Sequence, residues 1–296
     1  MSNVELRESL RFSMFAVNDT QNPLLQDRSR LVAQIIHSLG DRSRQEKIYA
    51  NHEIEWATSA GVVMLLGVQP ARIGRGAQPC VILNKRSLKV KQPGDLCFPG
   101  GRLAPRIDPF LARIFSLPFT SLGRWHHRGN RRHRHGRPAK SMSILWATGL
   151  RESFEEMRLN PFGVRFLGPM PPQSLVMFKR TIYPMVGWIN RQKRFFPNWE
   201  VEKVVCVPLQ DLLNPTYYSR YRLRMGNNPG PGQTESIQDY PCFRIQAPNN
   251  QEILWGATYR ITIDFLEHVF GFKPPAIATL PVVEGVLDET YLTGNK

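Results

Sequence analysis

The sequence predicts an α/β fold, because apolar runs of strand character alternate with segments of helical periodicity. Two runs rich in β-branched residues, 61–68 and 80–83, are typical of buried strands, and the loop between them favours a hairpin. Apolar residues recur at helical spacing in segments 24–39, 144–159 and 253–270. Further short strands are predicted at 164–167, 182–189, 204–209 and 240–245.

The chain of 296 residues has a net charge of +15 and a pI of about 10.1. Such a charge favours anionic partners, which include phosphorylated small molecules, nucleic acids and membrane surfaces. The four cysteines contain no CxxC pair, so neither a zinc site nor a disulfide framework is predicted. The sequence shows no secretory signal, no apolar run long enough to span a membrane and no C-terminal peroxisomal tripeptide. We therefore expect a cytoplasmic protein.

Much of the charge lies in one stretch, residues 105–142. From Arg106 to Lys140 there are nine Lys or Arg residues and one acid, Asp108, so this stretch carries eight of the fifteen net charges. A block of like charge repels itself, and we expect it to form a mobile surface loop. Four histidines lie in the same stretch, where we interpret them as solvated rather than as ligands of a transition metal: His126, His127, His133 and His135.

The most informative run is at residues 151–156, where three carboxylates and an arginine lie within six positions. On a helix, Glu152 and Glu156 share a face, and Arg151 can reach Glu155 one turn away. Crowded carboxylates need a cation, and oxygen ligands in this number suit Mg²⁺ or Mn²⁺. Mg²⁺ in turn suits a diphosphate substrate, because it neutralises phosphate oxygens and can activate water. These residues alone also fit a solvated acidic helix face with no function.

Two separated parts of the sequence resemble the Nudix box, in which a glycine turn and a loop precede a helix with the pattern Arg-Glu-x-x-Glu-Glu. Residues 98–102, Phe-Pro-Gly-Gly-Arg, are similar to the glycine turn, and residues 151–156 are similar to the helix. Residues 83–101 resemble the accessory motif of the coenzyme A-type Nudix hydrolases. Residues 207–215 and 255–258 are similar to the same subfamily. Linked motifs in this order are more specific than any one of them.

The resemblance implies the Nudix α/β/α sandwich, which is a mixed β-sheet between helices. The Nudix domain is then expected at residues 55–275, with the basic insertion at about 105–142. Residues 1–50 are expected to form an N-terminal helical extension, and residues 276–296 a C-terminal tail.

The resemblance also implies roles for individual residues. Glu152, Glu155 and Glu156 match the metal-binding positions, so the expected cofactor is Mg²⁺ or Mn²⁺. One of these glutamates would act as the base for the attacking water, and Arg151 would orient a glutamate. The catalytic residues would thus be Glu155, Glu152 and Arg151, and the substrate-binding residues Lys85, Arg86, Gly100 and Gly101. Three interpretations carry no function: a solvated strand end for Lys85 and Arg86, a surface residue for Glu200 and a core residue for Trp255.

The chain departs from the Nudix box at several places that leave the glutamates intact. Forty-nine residues separate Gly101 from Arg151, which is far more than the box has. The other departures concern single positions: the early acid of the box falls on Ile107, one place before Asp108, an apolar position holds Ser153, and Arg158 replaces a glycine.

The function implied by the resemblance is hydrolysis of the diphosphate of coenzyme A or acyl-CoA to adenosine 3′,5′-bisphosphate and a 4′-phosphopantetheine product. A first alternative keeps this chemistry but has a nucleoside diphosphate derivative or an RNA end as the substrate. A second alternative is a weakly catalytic or non-catalytic Nudix-fold protein that binds nucleic acid through the basic loop. The sequence leaves the oligomeric state open.

Overall fold

The structure is a computed structural model that describes residues 22–40, 54–69, 76–127, 137–175, 179–225, 236–246, 251–287 and 291. In chain order the helices are α1 (Arg28–Leu39), α2 (Asp108–Phe115), α3 (Ser121–His127), α4 (Arg137–Met157), α5 (Leu209–Leu212) and α6 (Gly256–Phe270). The strands are β1 (Ser59–Gln69), β2 (Gln78–Arg86), β3 (Leu96–Cys97), β4 (Gly100–Arg102), β5 (Val164–Pro169), β6 (Gln173–Leu175), β7 (Arg180–Ile189), β8 (Val201–Pro208), β9 (Tyr218–Met225), β10 (Ser236–Gln246), β11 (Gln251–Leu254) and β12 (Val282–Leu287).

Eight strands form the main sheet, whose central strands have the order β3-β2-β1-β7-β5. The remaining strands β4, β6 and β8 pair with β1, β7 and β2, respectively. β1 and β7 run parallel, whereas the other pairs of this sheet are antiparallel, so the sheet is mixed. The antiparallel β1–β2 pair is the hairpin that the sequence predicts.

Successive residues of β1 pack into two different cores, because neighbouring side chains of a strand point to opposite faces. Val62 and Met64 join a core with residues of α1 and α6. Val63 and Leu65 join a second core with residues of α4, on the opposite face. Helices therefore cover both faces of a mixed sheet, which confirms the predicted α/β/α sandwich.

The N-terminal helix α1 is part of this sandwich. Asp27 accepts hydrogen bonds from the backbone N–H groups of Ser29 and Arg30, and so caps the first turn. Leu31 and Ile35 are fully buried in the core that α1 shares with the sheet. The described part of the predicted extension thus supplies one of the helical layers, while residues 1–21 and 41–53 lie outside the described residues.

The C-terminal segment, expected to be a tail, contributes a strand. β9 to β12 form a second sheet in the order β11-β10-β9-β12, and β12 runs parallel to β9. Beyond β12, Tyr291 is buried, and its carbonyl oxygen accepts a hydrogen bond of 2.8 Å from the N–H of Gln92. The chain therefore returns to the segment that precedes the glycine turn.

The basic stretch 105–142 is partly helical, which corrects the expectation of a loop. It contains α2, α3 and the first six residues of α4. Trp125 of α3 packs edge-on against Phe166 of β5, with 5.1 Å between the ring centroids, so aromatic contacts hold α3 against the sheet. Two of the four histidines, His126 and His127, lie on α3, whereas His133 and His135 lie outside the described residues.

Two predicted helices have different bounds in the structure. The helix expected at 144–159 is α4, which begins at Arg137 and ends at Met157. The helix expected at 253–270 is α6, which begins only at Gly256 because residues 251–254 form β11. Among the helices in the described ranges, none combines the length and the apolar character needed to cross a bilayer.

Candidate active site

The glycine turn lies directly against the helix that carries the glutamates. Gly100 has a φ of 150°, where a side chain would be strained. A Cβ atom on Gly101 would lie 2.6 Å from the carboxyl carbon of Glu152, so a side chain here would displace that carboxylate from its position. β4, which contains both glycines, pairs with β1 next to α4. The fold thus joins the two halves of the motif despite the long insertion between them.

Arg151 ties the carboxylates of α4 to the glycine turn. Its Nη1 atom lies 2.9 Å from Oε1 of Glu152 and 3.2 Å from Oε2 of Glu155. Its Nη2 atom donates a hydrogen bond of 3.1 Å to the carbonyl oxygen of Arg102. Burial acts against the charge of Arg151, but the neighbouring carboxylates, led by Asp108, raise the pKa of its guanidinium above the usual value. Arg151 is therefore a fixed cation that orients Glu152 and Glu155.

Asp108 is the main partner of Arg151, and the sequence reasoning did not assign it a role. Its side chain is fully buried, and its Oδ1 atom accepts from Nε of Arg151 at 2.8 Å. Oδ2 accepts from the backbone N–H of Ala104 at 2.6 Å and from the hydroxyl of Thr148 at 2.7 Å. Asp108 lies one position after the place where the resemblance puts the early acid of the Nudix box, and it is an acid that pairs with Arg151. An acid one position after the expected place of the early acid is the signal in the sequence that could have identified it.

Glu156 lies deeper than the other two glutamates. Its Oε2 atom accepts a hydrogen bond of 2.8 Å from the side-chain amide of Asn84 on β2. Burial raises the pKa of Glu156 to about 8, and the nearby charges of Glu152 and Glu200 contribute to this rise. Glu200 was interpreted as a surface residue, but its charge acts on Glu156, which places it beside the site. Asn84, a polar residue at the end of an apolar strand, is a second site residue that the sequence reasoning missed.

The donor set around α4 fits a hard divalent cation. Within the described ranges, no three acidic, histidine or cysteine side chains already converge as a metal cage. The carboxylates of Glu152, Glu155 and Glu156 supply only oxygen donors, as Mg²⁺ and Mn²⁺ prefer. Burial also raises the pKa of Glu152, although Arg151 offsets part of this rise, so the negative charges of Glu152 and Glu156 are only partly compensated. In addition, Oδ1 of Asn84 is buried without a protein partner next to Glu156. A bound cation would supply the missing positive charge.

Lys85 and Arg86 differ in their surroundings. The ammonium of Lys85 lies 3.2 Å from both Glu252 and Glu202, and Lys85 is not among the residues that line the nearby cavity. Arg86 does line this cavity, and its Nε atom donates a hydrogen bond of 2.7 Å to the carbonyl oxygen of Lys91. Of the two cations, Arg86 is therefore the one placed to contact a substrate.

A cavity of about 550 Å³ extends from the glycine turn to the second sheet. Gly100 and Gly101 are among the residues that line it, so part of its lining lies next to Glu152. Its walls come from both sheets and from the beginning of α6, and they are predominantly apolar. A concave, mostly apolar site with a few polar groups is typical of small-molecule binding sites.

Trp255, interpreted as a core residue from the sequence, is instead a wall of this cavity. Its indole N–H donates a hydrogen bond of 3.0 Å to Oδ1 of Asp95, and the hydroxyl of Tyr291 donates one of 2.5 Å to Oδ2. The Trp255 ring also contacts the rings of Tyr221 and Tyr240, at 5.5 and 5.6 Å between centroids. Asp95 therefore holds together the accessory motif, the start of α6 and the C-terminal segment.

The two remaining departures from the Nudix box have local explanations. Ser153, at an apolar position, is fully buried, and its hydroxyl donates to the carbonyl oxygen of Gly149 at 2.6 Å, one turn back in α4. Arg158 follows α4 with a φ of 57°, the left-handed conformation for which glycine is favoured. Its guanidinium lies 5.2 Å from the ring centroid of Phe154. Arg158 therefore adopts a backbone conformation that the glycine of the box would adopt freely.

Comparison with known proteins gives one curated relative and several solved structures. No protein-family model matches the chain. The peroxisomal coenzyme A diphosphatase NUDT7 of Mus musculus is 24% identical over 197 residues, which are 64% of this chain and 64% of that protein. The match thus spans less than two thirds of the relative.

Solved structures of similar shape include two proteins at low sequence identity. A C. elegans Ap4A hydrolase has a TM-score of 0.33 at 10% identity, and the matched region covers 53% of this chain and 83% of the hydrolase chain. A Nudix hydrolase from Nitrosomonas europaea has a TM-score of 0.34 at 13% identity, and the matched region covers 81% of this chain and 85% of that protein's chain. Neither similarity is close enough to support an inference about function.

The motifs resemble the Nudix box in both of its halves, and the fold brings these halves into contact through the glycine turn, Arg151 and Asp108. The sequence similarity to NUDT7, a coenzyme A diphosphatase by name, agrees with the family that these motifs resemble. The chain thus resembles the Nudix hydrolases in its motifs and in the contact between the two halves of the box.

Proposed function

We propose that the protein hydrolyses the diphosphate of coenzyme A or acyl-CoA, with Mg²⁺ or Mn²⁺ as the cofactor. The products would be adenosine 3′,5′-bisphosphate and a 4′-phosphopantetheine species. The observation that carries this proposal is the contact between Glu152 and the glycine turn, whose residues line the cavity. A substrate in the cavity would place its diphosphate beside the glutamates of α4. The relationship to NUDT7, which is named as a coenzyme A diphosphatase, supports this choice of substrate.

The residues of α4 have separate tasks in this proposal. Glu152, Glu155 and Glu156 would hold the cation, which neutralises phosphate oxygens and lowers the pKa of water when it is bound. Glu155, the most exposed of the three with 51% of its side chain accessible, is the one best placed to accept a proton from water. Arg151, fixed by Asp108, would keep Glu152 and Glu155 in position while the water attacks.

The cavity supports a nucleotide-derived substrate through three features. Arg86 at its wall supplies positive charge for a phosphate. The backbone of Gly100 and Gly101 is open to close approach because neither residue has a side chain. The aromatic wall at Trp255 and Tyr240 offers surface for stacking a base. Lys85 does not share this role in the proposal, since its ammonium is engaged by Glu252 and Glu202.

The test is product formation from coenzyme A with an excess of MgCl₂, in the presence and absence of a chelator. Release of adenosine 3′,5′-bisphosphate that the chelator abolishes would support the proposal. Release that persists in the chelator would contradict the metal assignment. If coenzyme A and acyl-CoA were not cleaved while nucleoside diphosphate derivatives or capped RNA were, the substrate assignment would be wrong and the reaction class would stand.

A further inference from the structure

We infer that Arg180 and Arg260 form a second phosphate-binding subsite, which recognises a phosphomonoester on the ribose of the substrate. This inference deepens the proposed function, because it concerns a phosphate outside the diphosphate that is cleaved. It predicts a preference for substrates with a 3′-phosphate over the same molecules without it.

The fold brings these two arginines together at one end of the cavity. Arg180 is the first residue of β7 and pairs with Leu175 of β6. Arg260 lies in the second turn of α6, and its Nη2 atom donates a hydrogen bond of 3.3 Å to the carbonyl oxygen of Ser174, also in β6. Arg180, Arg260, Ser174 and Leu175 all line the cavity. The short strand β6 therefore brings both arginines to the same wall.

The charges of this wall are not neutralised within the cavity. Four charged residues line it, namely Arg86, Arg180, Arg260 and Asp95, so positive charge exceeds negative charge. Both carboxylate oxygens of Asp95 already accept hydrogen bonds, from Trp255 and Tyr291.

One further acid lies close to the proposed subsite. Asp264 follows Arg260 by one turn of α6 and feels its charge, but it does not line the cavity and accepts a hydrogen bond of 2.7 Å from Gln173. Among the described residues that line the cavity, no acid other than Asp95 balances the arginines, so the excess positive charge can attract an anionic group.

The distance between this wall and the glycine turn suits one nucleoside. Gly101 pairs with Gly61 of β1, and Gly61 pairs with Tyr183 of β7, three residues from Arg180. Two strand spacings and three residues along a strand put the backbones of Gly101 and Arg180 roughly 14 Å apart. A diphosphate at the glycine turn and a phosphate on the attached ribose would fill that gap together with the arginine side chain. A single phosphate at the turn would not reach both ends.

The test compares kcat/KM for coenzyme A and for 3′-dephospho-coenzyme A. The wild-type protein is expected to prefer coenzyme A by about ten-fold or more, the effect of one charge-assisted hydrogen bond pair. Arg180→Gln and Arg260→Gln should each reduce this ratio, because kcat/KM should fall more for coenzyme A than for the dephospho substrate. Arg113→Gln is the matched control, since Arg113 is exposed on α2 and does not line the cavity. It should leave the ratio unchanged.

A binding measurement separates this inference from the proposed function. Titration calorimetry in chelator gives the Kd values of adenosine 3′,5′-bisphosphate and of adenosine 5′-monophosphate, without any need for hydrolysis. Tighter binding of the bisphosphate that weakens in both arginine variants supports the subsite even if no substrate is cleaved. Equal Kd values for the two ligands in the wild-type protein, or a ratio that survives both substitutions, would overturn it. If coenzyme A and its dephospho form were hydrolysed equally well, the proposed function would stand and the subsite would fall.

Discussion

At the scale of single residues, Asp108 shows how a buried charge pair can hold an active site in place. Its carboxylate accepts from Arg151, Thr148 and the backbone of Ala104, so each of its oxygens has partners although the side chain is fully buried. Removing one member of a buried ion pair leaves the other charge buried without a partner. The resulting loss of folding free energy is larger than the net stability that the intact pair contributes. The orientation of Arg151, and through it that of two glutamates, therefore depends on Asp108.

Replacing Asp108 by asparagine is expected to lower the free energy of unfolding by about 3 kcal/mol, because Arg151 loses its buried counter-charge. Thr148→Val removes only one hydrogen bond to the same carboxylate and is expected to cost about 1 kcal/mol. Urea unfolding of both variants measures the two values. Equal losses in the two variants would mean that the charge of Asp108 has no special role.

Arg158 permits a separate test of the backbone at the end of α4. Its φ of 57° costs an ordinary residue about 1–2 kcal/mol, whereas glycine adopts it freely. Arg158→Gly is therefore expected to be more stable than Arg158→Ala by about 1 kcal/mol, since both variants lose the contact with Phe154. Thermal unfolding of the pair gives this difference directly. A more stable alanine variant would show that the backbone here is not strained.

At the scale of elements, the C-terminal segment connects the second sheet to the cavity. β12 pairs with β9, and the following Tyr291 reaches Asp95 and Gln92. Because Asp95 also holds Trp255, one carboxylate fixes three segments that are far apart in the sequence. The aromatic wall of the cavity therefore depends on a residue near the end of the chain.

The substitution Tyr291→Phe removes the hydroxyl that donates to Asp95 and is expected to destabilise the protein by about 1 kcal/mol. A double-mutant cycle with Asp95→Asn should give a coupling energy of about 0.5 kcal/mol or more, because the two residues share one hydrogen bond. The same variants should raise KM for coenzyme A, since the cavity wall at Trp255 loosens. Additive effects on stability would contradict a direct interaction between Tyr291 and Asp95.

At the scale of the whole molecule, the hydrophobic pattern was enough to predict the central strands and the final helix, whereas the α/β/α layers were predicted from the resemblance to the Nudix family. The pattern is informative there because β1 and β7 are buried on both faces and because α6 has one apolar side. The hydrophobic pattern did not predict α2 and α3, because their few apolar residues lie among many positive charges in the sequence. Phe115 and Trp125 are two such residues, and both pack into the second core.

The candidate site was predicted in part. Glu152, Glu155, Glu156, Arg151 and the glycine turn follow from linear motifs, and the structure brings them together. Asn84, Asp108 and the wall at Trp255 depend on contacts between distant segments, which the sequence does not contain in readable form. From the sequence, Lys85 is a candidate for binding a substrate phosphate, whereas in the structure its ammonium forms an ion pair with Glu252.

The most direct test of the central claim uses the variant Glu156→Gln. Its kcat/KM for coenzyme A is measured with excess Mg²⁺, and its unfolding temperature is measured separately in chelator at pH 8. Folding raises the pKa of Glu156, so ionisation of this carboxyl destabilises the folded state once the pH exceeds the ordinary pKa of a glutamate. An amide does not ionise, so Glu156→Gln removes this loss of stability. We predict a loss of about 100-fold or more in kcat/KM at an unchanged or higher unfolding temperature. Glu284→Gln, an exposed substitution on the second sheet, should change neither quantity. Near-normal hydrolysis by a folded Glu156→Gln protein would contradict the assignment of the glutamates of α4 as the catalytic metal site.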